Sequence, residues 1–344
     1  MQAWALQAVK GFRRGGLNRR QGVGSRRLIT VTNDNRGNTM RPLTGPLAER
    51  GVRHERWPYS RLFKSRRLPQ AVYVLTDFDR LVPWHVELAA RLYCRLTAEG
   101  VTVLNDPRCH LPRWAFLRRL RAEGVNDFDC WLPAEGALPD RFPVFLRTIH
   151  AHRGVASGLL QDVAEAEAAL REALAEGLIV SDLVFVEYAA EPHPETGKFR
   201  KHAAYRVGDR IIRALSVTEE SWIAKNGSLG AATDADYTAD LAEHQNYPHA
   251  ALMRKAFDIA GMGFGRIDYG FVGGRPQIYE LNTNPQIGWG RKHPNPDRRS
   301  ASGIVRDELL DGLAALCQPD SGRMVDVSDA IPRSILRREN FQQP

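Results

Sequence analysis

Residues 266–285, RIDYGFVGGRPQIYELNTNP, constrain the fold more tightly than any other stretch of this 344-residue chain. Two runs of strand-forming residues flank Gly273-Gly274 and read as a β-hairpin. Both runs carry acids, which strands disfavour. Glu280 and Asn282 are two apart and project from one sheet face. With Gly273, Gly274 and Arg275 as the loop, Asp268 falls opposite Glu280, and side chains facing each other across a hairpin have Cβ atoms about 5 Å apart. Two carboxylates and an amide oxygen then converge on one point. Bare, such a cluster is repulsive and poorly solvated. A magnesium ion, which takes hard oxygen ligands and shares them with phosphates, resolves that conflict. The competing picture is a solvated edge hairpin with its acids in water, and the apolar partners Ile267, Tyr269, Ile278, Tyr279 and Leu281 weigh against it.

Charge is unevenly spread. Of the net +8, seven positive charges (Lys10, Arg13, Arg14, Arg19, Arg20, Arg26 and Arg27) lie in the acid-free segment 1–27, so the remainder is nearly neutral. A basic nucleic-acid-binding face is therefore not expected. Segment 1–27 is expected to be a disordered extension, with an organelle-type presequence, amphipathic over 1–14, as the second reading. No run of eighteen apolar residues occurs, so neither a membrane span nor a membrane partner is expected. Cys94, Cys109, Cys130 and Cys317 form no CxxC pair. They read as free thiols in a reducing cytosol, which gives a cytoplasmic location.

Elsewhere apolar runs alternate with helical patterns, the mark of an α/β chain. LITVT (28–32), AVYVLTDFD (71–79) and VTVLNDP (101–107) read as strands, and HVELAARLYCRLTAEG (85–100) as a helix stopped at Gly100. A small parallel sheet fits 28–107. LPRWAFLRRLRAEG (111–124) is a basic amphipathic helix. FPVFLRTIH (142–150) is a strand running into the Gly/Ser/His loop AHRGVASG, and VAEAEAALREALAEG (163–177) is a helix. LIVSDLVFVEYA (178–189) holds a further strand, KHAAYRVGDRIIRALSV (201–217) is a hairpin turning at Gly208-Asp209, and HAALMRKAFDIAGMG (249–263) is a helix. From about 318 the chain is polar and is expected to be a loosely held tail. Met253 and Met262 read as core, and Lys225 as a lid or acceptor-site residue or an exposed loop lysine. GxGxxG, GxxxxGK[ST] and GxSxG signatures are all missing, which leaves hydride transfer and serine hydrolysis without support.

The set Asp268, Glu280, Asn282 within RIDYG…YELNTNP resembles the C-terminal magnesium signature of the ATP-grasp superfamily, in particular its glutathione-synthetase and ribosomal-protein-S6-modification branches. FPVFLRTIHAHRGVASG, LVFVEYA and YRVGDRII are similar to the family's strand and phosphate-covering loop, its adenine hinge and the strand pair before the metal region. The resemblance implies α/β architecture, α+β in the C-terminal part. A small parallel-sheet pre-ATP-grasp domain (28–107) would precede a two-lobed ATP-grasp domain (108–317), followed by a tail (318–344).

It further implies that Asp268, Glu280 and Asn282 ligate Mg²⁺ and that Glu187, Tyr188 and Ala189 line adenine. An acid beyond the hinge, Glu191 or Glu195, would bind ribose, while His152, Arg153, Gly154 and Ser157 would cover the phosphates. Arg113 and Arg147 stand where the family usually has phosphate-binding lysines, a substitution that preserves anion binding. Arg266, Arg147 and Arg206 are placed as catalytic cations. The implied activity is an ADP-forming ligase that uses ATP to join a carboxylate to an amine through an acylphosphate, acting on small-molecule or peptide substrates. A homodimer is common among similar enzymes. A small-molecule phosphotransferase and a nucleotide-binding protein without turnover stay open as alternatives.

Overall fold

The computed structural model describes residues 26–37, 39–150, 154–223, 227, 230–244, 246–288, 292–332 and 334–335. Residues 1–25 of the basic segment, and His152, Arg153 and Lys225, lie outside the described residues.

The first layer contains β1 (Arg26–Thr32), α1 (Thr44–Glu49), β2 (Val52–Pro58), α2 (Tyr59–Lys64), β3 (Arg67–Pro69), β4 (Val72–Leu75), α3 (Pro83–Ala98) and β5 (Val103–Leu104). β2, β1, β4 and β5 lie side by side in that order, all parallel. All four β4 residues are buried, as expected for a parallel strand covered on both faces. β1 starts at Arg26, two residues before the expected strand. Arg27 is thereby part of the fold, paired with Glu55 at 2.6 Å. β2 was not expected, because VRHERWP interleaves charges with its inward residues Val52, His54 and Trp57.

The middle of the chain holds α4 (Arg113–Ala122), β6 (Cys130–Trp131), β7 (Val144–Thr148), α5 (Val163–Ala175) and β8 (Leu183–Glu187). β6, β8 and β7 make an antiparallel sheet over a small core of Val144, Leu146, Ala166, Ala173, Leu183 and Phe185.

The remainder contains β9 (Phe199–Val207), β10 (Arg210–Arg213), β11 (Val217–Glu219), α6 (Asp234–Glu243), α7 (Ala250–Ala260), β12 (Phe264–Val272), β13 (Arg275–Asn282), α8 (Pro296–Leu316) and β14 (Met324–Asp326). β10, β9, β12 and β13 form an antiparallel sheet, with β11 also paired to β9. Ile267, Tyr269 and Ile278 join Met253, Ala256, Phe257 and Ala260 of α7 in one core. Each such aliphatic side chain contributes about 1.5–3 kcal/mol by leaving water. Strand alternation then turns Asp268 to the opposite face of β12.

Residues 318–332 are not a loose tail. β14 pairs antiparallel with β3, and Val325, Val327 and Ile331 are buried in the same core as β1 and β4. Alternation in MVDV supplies two inward valines, enough to anchor a short edge strand.

Candidate active site

A cleft of about 960 Å³ lies between the β7–β8 sheet and the β9–β12–β13 sheet. Its floor is the acidic hairpin. Asp268 does lie opposite Glu280, but by a different route from the one the sequence suggested. The turn is Gly273-Gly274 alone, both at positive φ (55° and 74°), with Val272 paired to Arg275. Glycine pays no Cβ penalty for that geometry. A two-residue turn by itself would pair Asp268 with Tyr279. A bulge between Asp268 and Tyr269 takes up the extra residue, so that Asp268 faces Glu280 and Arg266 faces Asn282.

The bulged Tyr279 has its own task. Its hydroxyl donates to the Ala189 carbonyl at 2.8 Å, tying the floor to the segment after β8. To do so it passes so close over Gly270 that a Cβ there would sit 2.1 Å from Tyr279 Oη.

The acids are matched to cations. Asp268, 1% exposed, receives Arg266 Nε at 2.7 Å and Nη2 at 3.0 Å, and Lys201 Nζ at 3.3 Å. Burial would lower the Arg266 pKa, but Asp268 and Tyr205 outweigh it and raise the guanidinium above its usual value. Glu280 pairs with Arg113 and accepts from Asn282 Nδ2 at 3.1 Å, which leaves the Asn282 Oδ1 for another partner. Arg147 projects into the same cleft, and among the described residues no carboxylate pairs with it. Burial, and then the nearby Arg113, push it down to about 9 against the pull of Glu280. A buried guanidinium without a counter-ion is a site for an anion.

The other wall carries Glu187, Tyr188, Ala189, Ala190 and Glu191, with Phe145 and Trp222 beside them. Tyr188 packs edge-on against Trp222 at 5.8 Å, and Phe145 lies 4.9 Å from the same indole. The three rings make an aromatic stretch of the wall. The Glu187 carboxylate is engaged within the fold, accepting the Asp129 N–H at 2.9 Å and pairing with Arg141. The Tyr188 N–H is likewise spent on the Pro143 carbonyl at 2.8 Å.

Not every expected residue reaches the cleft. Gly154 lines it, but Ser157 turns back to accept the Leu146 N–H at 2.9 Å and fixes the loop to β7. Arg206 faces the other way, bound to Asp258 at 2.5 Å, because β9 alternation gives the cleft Lys201, Ala203 and Tyr205 instead. Glu195 lies in an exposed turn, whereas Glu191 lines the wall and accepts the Gly273 N–H at 3.0 Å. Lys201 and Trp222 were overlooked. The strand period of KHAAY, applied with Ala203 as a cleft residue, points to Lys201; nothing local marks Trp222.

The far end of the cleft is closed by the N-terminal layer. Asp77, 3% exposed and at φ 59°, accepts from the Asn33 N–H at 2.9 Å and Asn284 Nδ2 at 2.7 Å, and its own N–H donates to Thr283 Oγ1. The residues just after the metal-type cluster are thereby clamped to β4.

No protein-family model matches the chain, and no characterised protein matches it by sequence. Solved structures do match by fold. D-alanine–D-alanine ligase from Bacillus anthracis, in complex with ATP, is 14% identical with a TM-score of 0.47, covering 85% of this chain and 97% of its own. A RimK-domain ATP-grasp protein from Sphaerobacter thermophilus is 16% identical with a TM-score of 0.46, covering 82% and 99%. The ATP-grasp ligase PsnB, bound to a precursor peptide and AMPPNP, is 13% identical with a TM-score of 0.49, covering 86% and 98%. The chain is similar to ATP-grasp ligases. Among the described residues no helix is long and apolar enough to cross a membrane.

Proposed function

We propose that this protein is an ATP-grasp enzyme that uses ATP and a divalent cation to join a carboxylate to an amine, releasing ADP and phosphate. One observation carries the reading. A single cleft brings together an oxygen-only acid cluster, an arginine with which no carboxylate pairs among the described residues, and an aromatic wall. Asp268, Glu280 and Asn282 offer only oxygen donors, the set suited to Mg²⁺ rather than to zinc or copper. The cation would supply charge neutralisation at the terminal phosphates.

This chain's residues supply the rest. Arg147, with Arg113 behind it, holds phosphate oxygens at the cleft wall. Phe145, Tyr188 and Trp222 form the wall against which the base lies, and the backbone after Tyr188 meets its edge. Arg266, fixed by its two bonds to Asp268, presents its outer face to the transferring group. The carboxylate substrate attacks the γ-phosphorus in line as ADP leaves, and the amine then captures the acylphosphate with release of phosphate. The Asp77 clamp supports reading the N-terminal layer as the acceptor wall, which a small molecule or a peptide end would meet.

Thermal melting with ATP, with and without Mg²⁺, tests the reading. Saturation at a hundredfold over Kd stabilises by about 2.7 kcal/mol. A magnesium-dependent shift, lost in Glu280→Ala/Asn282→Ala, is expected. Its failure in wild type would remove the nucleotide assignment. Arg147→Lys should keep the shift and Arg147→Met lose it. A phosphorylated end product in place of an amide, once an acceptor is found, would instead favour a phosphotransferase.

A further inference from the structure

Arg298 of α8 lines the same cleft, on the side of the β9–β12–β13 sheet, whereas Arg147 stands on β7 in the other wall. It is fastened from behind. Its Nη1 donates to Asp240 Oδ2 at 3.2 Å and its guanidinium lies 5.8 Å from the Tyr237 ring, while the other Asp240 oxygen is taken by Arg200 at 2.6 Å and Arg213 at 2.7 Å. The side chain is only 13% exposed, yet its Nε and Nη2 have no partner among the described residues. Burial, outweighing the pull of Asp240 and Tyr237, holds its pKa below the usual arginine value. A guanidinium fixed at one corner and open at its other two nitrogens is preorganised for a carboxylate. The surface between Arg298 and the reaction centre is mostly apolar. Val305 lies seven residues further along α8, on the same helix face and about 10 Å away. Val305, Tyr205 and Ala214 share one core, Leu215 packs against it, and all four line the cleft. Tyr205 in turn stands opposite Arg266 in the β9–β12 register.

We propose that the acid this protein activates is a dicarboxylate. Its reacting carboxylate sits beside Arg266, its spacer lies on Ala214, Leu215 and Val305, and its second carboxylate is held by the open edge of Arg298. Arg298 is thereby a specificity-determining residue. An acid with no second charge leaves the buried guanidinium half satisfied, whereas a second carboxylate completes it. The inference rests on the ligase reading above and names the class of acid that the same cleft takes.

The test uses the full-length protein saturated with Mg²⁺ and a non-hydrolysable ATP analogue, titrated calorimetrically with glutarate and adipate beside valerate and hexanoate, the single acids of equal length. At least one dicarboxylate should bind about tenfold more tightly than its single-acid counterpart. Arg298→Gln should bring the two within about twofold of each other, with the ATP analogue bound as in wild type. Arg298→Lys keeps the charge beside Asp240 and should retain a preference of about threefold, which keeps the test usable if the glutamine variant melts abnormally. Equal binding of the two acid classes by wild type, binding of neither, or an undiminished preference in Arg298→Gln would overturn the proposal while leaving the nucleotide site standing. Failure of wild type to bind the analogue would overturn the ligase reading, and the proposal with it.

Discussion

Two buried acids in this protein meet arginine clusters, and they behave as opposites. Asp240 of α6 is 2% exposed and is gripped by Arg200 at 2.6 Å, Arg213 at 2.7 Å and Arg298 at 3.2 Å, with Ser216 Oγ donating at 3.0 Å. Burial would raise its pKa, yet the three guanidiniums together hold the carboxyl below its usual value. His202, Asp240 and Glu243 come close enough to suggest a metal site, but Asp240 has no oxygen left to give and Glu243 already takes Arg213. Asp268 is equally buried and equally paired, but it faces a cleft, beside a second carboxylate and an arginine with which no carboxylate pairs directly among the described residues. Burial of an acid therefore marks a place where charge must be balanced. Function is marked by balance that an incoming ligand can rearrange.

Asp240→Asn should give the largest effect, about 3–5 kcal/mol of lost stability in a urea melt, because three guanidiniums lose their shared partner in a dry site. Glu280→Gln should cost about half as much or less, since the pair borders open cleft, and should remove the magnesium-dependent nucleotide shift. Equal losses of stability in the two variants would erase the contrast.

Acid should reveal the buried histidines next. Burial pushes His54 and His244 down to about 4 and His202 to about 3. Their folded pKa values are depressed, so the unfolded chain binds protons first and stability falls as pH drops from about 6.5 toward 4. Each group contributes a slope of up to about 1.4 kcal/mol per pH unit. His54 sits between Thr30 Oγ1 and Thr44 Oγ1, both at 3.0 Å, in the parallel layer, whereas His202 and His244 flank the Asp240 cluster. NMR titration should find His54 and His202 neutral at pH 5; a charged ring at that pH would contradict the assignment.

Gly270→Ala should cost about 1–3 kcal/mol, because the added methyl meets the Tyr279 ring and not a flexible chain end. It should also weaken nucleotide binding by releasing the Tyr279 hold on Ala189. Binding unchanged at lower stability would confine Tyr279 to a packing role. Arg206→Ala, which breaks the outward pair with a half-exposed Asp258 and the bond from Nε to the Gly208 carbonyl, should change stability by about 0–1 kcal/mol and leave the nucleotide shift alone. A lost shift there would return Arg206 to the catalytic group.

How much of this was legible beforehand varies by element for physical reasons. β12, β13, α3, α5 and α7 announce themselves by periodicity and by glycines at their ends. β2 and α8 do not. β2 is an outer strand whose exposed residues are charged, and α8 opens on the polar run PDRRSASG before burying Leu309, Leu310 and Leu313. The packed end of the chain was missed because two or three valines carry little pattern until β3 is there to receive them.

The sequence by itself determined that Asp268, Glu280 and Asn282 would share one face, because a strand's period of two leaves no choice once the hairpin is recognised. It could not determine the turn length, since a two-residue turn with a bulge and a three-residue turn without one bring the same acids together. Only the tertiary structure decided which cations meet those acids. Arg113 lies 167 residues from Glu280 in the chain. Lys201 and Arg206 belong to the same β9 strand, yet one faces the cleft and the other α7. That choice is made by how two sheets and a helix stack, and no local pattern encodes it.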